Sequence, residues 1–212
     1  MNQPPSSTDQ ENANPKTKGI NPLLIMLIVF GLPYALAWYF LYEGDPSSFE
    51  APGNHGKLVS PMIALPKYSL ELLDGTKVSS DDLAKNWLIF TVSKKCEEAC
   101  KRTLLVIRQA RKAMAVDRDV IKPILLLADD NALKDLDIDL TKDFNTLHIV
   151  KSKSTRESGL LEIFSSKVTE IENTIYMVDP FGNFMMTYPE NTEQLGLLDD
   201  MKRLLKVNPV HR

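Results

Sequence analysis

The chain has 212 residues, 43% of them hydrophobic and 25% charged, a globular mix long enough for one domain of ordinary size with appendages. Its 25 Lys and Arg face 28 Asp and Glu, a formal charge of -3. With the cations scattered among acids, nothing in the composition calls for a nucleic-acid partner, which would need an excess of positive charge.

The first segment, Met1 to Lys18, is rich in Pro, Asn, Ser, Thr and Gln and has almost no large apolar side chain. It cannot bury enough surface to offset its ordering entropy, so residues 1–18 are expected to be a disordered cytoplasmic tail. From Gly19 to Tyr42 there is no charged residue. A helix needs about 20 apolar residues to cross a bilayer core, so residues 19–42 are expected to be a transmembrane helix. Pro22 suits its first turn, and Trp38, Tyr39 and Tyr42 gather at one end as an interfacial belt would. A cleaved signal peptide is the rival reading, with Ala35-Leu36-Ala37 as the cleavage site. The bulky residues from Trp38 to Tyr42 continue past that site and favour an anchor. Lys16 and Lys18 precede the segment, and Glu43, Asp45 and Glu50 follow it. By the positive-inside rule the C-terminal part faces away from the cytoplasm. The expectation is a single-pass inner-membrane protein with a periplasmic domain, in a compartment where a disulfide persists.

Residues 43–56 are rich in Pro, Gly, Ser and Asn and read as a linker. The domain then spans 57–212. Lys67 to Val78 has the marks of a hairpin turning at Asp74-Gly75. Ser79 or Ser80 is expected to cap a helix continuing to Asn86. Trp87 to Ser93 is a short apolar run of the kind that makes a buried strand. Glu97 to Ala115 follows as an amphipathic helix, its apolar stripe at Leu104, Ile107, Ala110 and Met114. The run from Val120 to Asp130 reads as another buried strand, and Thr155 to Lys167 as one short helix. A second hairpin pairs Thr174–Val178 with Asn183–Tyr188 around the turn from Asp179 to Gly182. A last helix starts at a cap on Asn191 or Thr192. Strands alternating with helices define an α/β domain of three layers, and a cysteine pair at a strand-to-helix junction makes it thioredoxin-like.

The two cysteines of the chain, Cys96 and Cys100, have three residues between them in the segment Ser93 to Arg102. Counting back along the helix stripe through Thr103 reaches Cys100 and then Cys96, so both sulfurs fall at the N-terminal end of the buried face. Three roles are open. A redox pair draws on the helix N-terminus, which stabilises a thiolate, with Cys96 the more exposed attacking thiol and Cys100 the resolving one. A structural staple would gain little from so short a loop. A metal clamp would need further ligands, for which His55, His148, His211, Met185 and Met186 are the other candidates. Lys94 and Lys95 favour the thiolate while Glu97 and Glu98 oppose it. The acid-rich run from Asp129 to Asp143 reads as a solvated face. Trp87, Phe90 and Tyr176 are expected in the core, and Phe181 at an exposed hairpin tip.

A hairpin, a buried strand ending at C-x-x-x-C, a long helix and the late "TIYMVDPFGNF" hairpin together resemble the Sco/SenC proteins over Pro66 to Val207. Those are membrane-anchored thioredoxin-fold proteins that serve cytochrome c oxidase assembly. "NHGKLVSP", "RQARKAM" and "VDPFGNFMMTYP…LLDDMKRLLKV" are also similar to an uncharacterised membrane-anchored bacterial subgroup associated with oxidase assembly. The resemblance implies that Cys96 and Cys100 are the thiolate positions of a Cu(I) site, and that the partners are a cytochrome c oxidase subunit or other assembly factors at the inner membrane. It implies a role in oxidase biogenesis through thiol-disulfide chemistry or transient copper handling. The alternatives are a general periplasmic disulfide reductase and a non-catalytic docking module stapled by its disulfide. Two departures stand out. Asn173 occupies the place of the family's third ligand, a His, and the prolines beside the family's cysteines are missing. Thioredoxin enzymes differ too, with C-x-x-C and a Pro where this chain has Glu172 and Asn173.

Overall fold

The computed structural model describes residues 21–42, 53–133 and 144–207. The expected tail, His211 and most of the acid-rich run lie outside the described residues. The chain divides into two compact units, one ending at Pro52 and one running from Gly53. In the first, helix α1 spans Pro22–Tyr42, 21 residues without a charge. The Asn21 carboxamide oxygen accepts from the Leu23 N–H at 3.1 Å and caps its start. Among the described residues, no helix is long and apolar enough to cross a membrane.

The second unit is built on a six-stranded sheet, ordered β1-β8-β7-β4-β5-β6. The strands are β1 (Lys57–Ala64), β4 (Trp87–Ser93), β5 (Ile121–Leu127), β6 (His148–Val150), β7 (Ile175–Val178) and β8 (Asn183–Tyr188). A separate hairpin pairs β2 (Ser69–Glu71) with β3 (Lys77–Ser79). All seven residues of β4 are buried. It pairs in parallel with β5 along its whole length and antiparallel with β7, which is why its sequence is a continuous apolar run rather than an alternating one.

The faces of β4 divide by residue parity. Leu88, Phe90 and Val92 face a layer made of the β2–β3 hairpin and α4 (Leu160–Ser165), where Phe164, Tyr176 and Phe184 pack together. Phe164 stacks on Tyr176 with ring centroids 4.2 Å apart and meets Phe184 edge-on at 5.2 Å. Such pairs add about 0.5–1.5 kcal/mol each beyond their buried area. Trp87 and Ile89 face the other layer, formed by α2 (Glu98–Ala113) and α5 (Gln194–Val207) through Ile107, Ala110, Leu197 and Met201. The three expected layers are present, and Phe181 stands exposed at its hairpin tip.

Two local expectations fail and one strand was not foreseen, each for a readable reason. No helix forms between Ser79 and Asn86. The Ser79 N–H and hydroxyl both donate to the Asp82 carboxylate, at 2.8 and 2.6 Å, and Lys85 takes a left-handed φ of 64°. Local side-chain bonding has replaced the helix. The expected helix from Thr155 to Lys167 is two short ones, α3 (Ser152–Glu157) and α4, separated by Gly159 at φ 73°. The sheet also gains β1, which pairs with β8 at Lys57–Leu58 and Ile63–Ala64 but is irregular between them, where Pro61 offers no N–H.

Candidate functional site

The site forms where β4 stops. Its last residue, Ser93, is buried, and the chain emerges at Lys94 and Lys95 before turning back in at Cys96. The Cys96 N–H donates to the Ala132 carbonyl at 2.7 Å, fixing the loop against the segment after β5. Glu97 is the extended residue before α2 and offers no side-chain cap. Cys100 lies in the first turn of α2, on the stripe shared with Thr103, Leu104 and Ile107. Placing Cys96 before the helix brings the two Cα atoms within 4.9 Å, and the cysteines are joined as a disulfide.

The expectation of a more exposed Cys96 is not met. Cys96 is 1% exposed and Cys100 2%. Both pack with Leu104, Leu125, Leu127, Ala132 and Phe144. Ala132 and Phe144 come from beyond β5, and that coverage has no counterpart in the local cysteine sequence.

Each lysine around the pair has an acid beside it. Lys94 Nζ lies 2.9 Å from Glu172, Lys95 2.5 Å from Glu97, and Lys101 2.9 Å from Glu98. The Glu172 hydrogen bond holds the Lys94 ammonium above its usual range, and Lys101 holds the Glu98 carboxyl below its own. The opposed charges read from the sequence therefore neutralise each other locally. The N-terminus of α2 is left as the main source of positive potential at the sulfurs.

The segment before β7 lies alongside. Glu172 bridges Val92 in parallel, and the Asn173 N–H donates to the Val92 carbonyl at 2.9 Å. The Asn173 carbonyl accepts from the Thr103 hydroxyl at 3.1 Å, one helical turn beyond Cys100. Asn173 has a φ of 55°, a left-handed conformation that Asn tolerates better than most residues. Two further bonds hold this bend, Thr174 Oγ1 to the Glu170 carbonyl at 2.7 Å and Tyr176 Oη to the Ile171 carbonyl at 2.9 Å. The Asn173 carboxamide oxygen is buried with no hydrogen-bond partner. Sequence and structure thus agree in bringing Asn173 to the cysteine end of β4.

These residues do not fit a three-ligand Cu(I) site. The two sulfurs are bonded to each other, and the third position holds a carboxamide, a hard oxygen donor unsuited to a soft ion. Among the described residues no group of three or more His, Cys, Asp and Glu is arranged to hold a metal. His148 lies half-buried on β6, where desolvation and then Lys122 push its imidazole below the usual range. His55 donates its backbone N–H to Asp200. Met186 is buried beside Tyr188, and Met185 is partly buried in the same layer. None of them belongs to the cysteine cluster.

One buried acid escaped the sequence reading. Asp200 is 2% exposed, and its Oδ2 accepts from the N–H groups of His55 and Gly56, both at 2.9 Å, and from Tyr188 Oη at 3.1 Å. It ties the start of the domain to α5. The available signal was an acid set between Leu197 and Met201 on an otherwise apolar stripe.

Residues 87–208 match a family model described as "transmembrane-like, thioredoxin-like, C-terminal domain". No curated protein matches the sequence. Among solved structures, the apo Sco1 protein of Thermus thermophilus superposes with a TM-score of 0.58 at 15% identity, covering 74% of this chain and 99% of its own. Arabidopsis thaliana ScoI, solved with copper bound, gives 0.52 at 17% identity, covering 68% and 99%. BsSco, described as a Sco-family cytochrome c oxidase assembly protein with a disulfide switch, gives 0.51 at 16% identity, covering 70% and 96%. At these identities the likeness is one of fold, and it is the fold of the Sco/SenC proteins that the sequence resembles.

Proposed function

Because the chain belongs to the family of transmembrane-like, thioredoxin-like C-terminal domains, we propose that it is a membrane-anchored thiol-disulfide protein acting in cytochrome c oxidase assembly. The observation that carries this reading is the Cys96–Cys100 pair, closed over a short loop at the N-terminus of α2. The uncharged stretch from Gly19 to Tyr42 supports the anchor, and the lysines before it with the acids after it support a periplasmic domain. The assembly role is drawn from the Sco likeness.

In the reduced protein the Cys96 thiolate attacks a disulfide of the partner and forms a mixed disulfide. The partner's other sulfur leaves as a thiolate. Cys100 then attacks Cys96, restoring the internal bond and releasing the partner as a dithiol. Two electrons pass to the partner. Since both sulfurs are buried, exchange requires the Lys94–Glu97 loop to open, and burial makes the pair selective for partners that open it.

The test is to equilibrate the domain from Gly53 onward, which has its own core, with glutathione buffers and trap the free thiols. A potential above about -300 mV is expected, and a lower one would make the bond a staple. The copper question is settled on the same reduced domain by Cu(I) competition. Asn173→His, which restores an imidazole, is expected to bind Cu(I) about tenfold or more tightly than the natural chain. Equal affinities would place Asn173 outside any ligand position.

A further inference from the structure

Beside the cysteine cluster lies a cavity that the thiol chemistry does not use. It has a volume of about 290 Å³ and opens between α2 and the segment leading into β6. Leu104, Phe144 and Leu147 supply apolar wall, while Arg108, Arg111 and Lys112 supply positive charge. Among the described residues, no acidic side chain lines it.

The three cations stand in different states. Arg111 is largely buried. Its Nε donates to the Ile121 carbonyl at 3.0 Å, and its Nη2 lies 3.5 Å from Asp119 outside the cavity. It is therefore fixed in place. Arg108 lies with its guanidinium carbon 5.2 Å from the centre of the Phe144 ring. That contact orients the group, and among the described residues neither Arg108 nor Lys112 has an ion-pair partner. A half-buried arginine held over an aromatic ring, beside a second fixed arginine and an apolar wall, can be matched by a carboxylate carried on an apolar body. The head would take the guanidinium bonds, and a short body would lie against Leu147 and the exposed edge of the Phe144 ring.

We propose that this cavity binds a small organic anion, a carboxylate with a short aliphatic or aromatic body. The site stands on the cavity's geometry and does not depend on the redox reading.

The experiment titrates the domain from Gly53 onward with hexanoate, following backbone amide shifts in nitrogen-15 spectra, with hexanol and inorganic phosphate as controls. Saturable shifts at Arg108, Phe144 and Leu147 are expected with hexanoate, and weaker or none with either control. The Arg108→Gln, Lys112→Gln double variant is expected to lower hexanoate affinity about tenfold or more, the scale of losing a charge-assisted hydrogen bond. Unchanged spectra elsewhere would show that this variant folds. Equal binding of hexanol would reduce the cavity to an apolar patch, and equal binding of phosphate would reduce it to a charged one. Either result, absence of saturable shifts with hexanoate, or an unaffected double variant, overturns the proposal.

Discussion

The aromatic layer on one face of β4 and the cysteine cluster at its C-terminal end are closed by different means. Phe90, Phe164, Tyr176 and Phe184 come from four separate elements, are fully buried, and interlock ring against ring. The cysteine end is a smaller cluster, covered by Ala132 and Phe144 and completed by a disulfide. Next to it sit two buried polar atoms without partners, Ser93 Oγ and the Asn173 carboxamide oxygen. Ring packing closes the first region, and a covalent bond that can be reduced closes the second.

The largest way to break this contrast is Phe164→Ala. Removing a ring at the centre of the aromatic layer is expected to cost about 3–5 kcal/mol in urea unfolding. Reducing the Cys96–Cys100 bond should cost less, about 2 kcal/mol at most, because the loop it closes is short and little chain entropy is released. The two measured under the same conditions decide whether the cysteine end is the softer region. A reduction cost equal to the Phe164 loss would make the disulfide a main structural element.

A gentler probe is pH. The imidazole of His148 titrates below its usual range, chiefly through desolvation. The unfolded chain therefore takes up a proton near pH 6.5 before the folded one does. Stability contributed by neutral His148 is complete above that pH and declines as pH falls below it, by less than one proton's worth of slope. His148→Gln should flatten that part of the profile in chemical denaturation at several pH values. The smallest effect is expected from Glu172→Gln, which breaks the exposed pair with Lys94. A small loss of stability, vanishing in high salt, is anticipated.

Elements with a strong local signal were legible in the sequence. β4, α2 and the β7–β8 hairpin lie close to where apolar runs, periodicity and the Asp179–Gly182 turn put them. β1 was hidden because its exposed Leu58 and Met62 and its Pro61 break any alternation. The segment after β3 was misread because Ser79 and Asp82 look like a helix start yet bond to each other in a turn. At the site, the cysteines, their place on the buried face and Asn173 were identifiable from sequence, whereas the full burial of Cys96 was not. The groups that cover the sulfurs, Ala132 and Phe144, are distant in sequence and meet them only through the sheet.

The irregular pairing of β1 bears on how many copies can share a surface. Under the anchored arrangement proposed above, molecules diffuse in two dimensions, where encounters are frequent and long-lived. A regular outer strand would then invite edge-to-edge polymerisation. The far side of the sheet is already sealed, since Leu72 bridges Val150 and the Lys151 N–H donates to the Glu71 carbonyl. On the open side, β1 breaks register between Leu58 and Ile63, with Pro61 inside the break, and so offers a newcomer no continuous ladder. Under the proposed anchoring, this edge would disfavour strand-to-strand pairing between neighbouring copies.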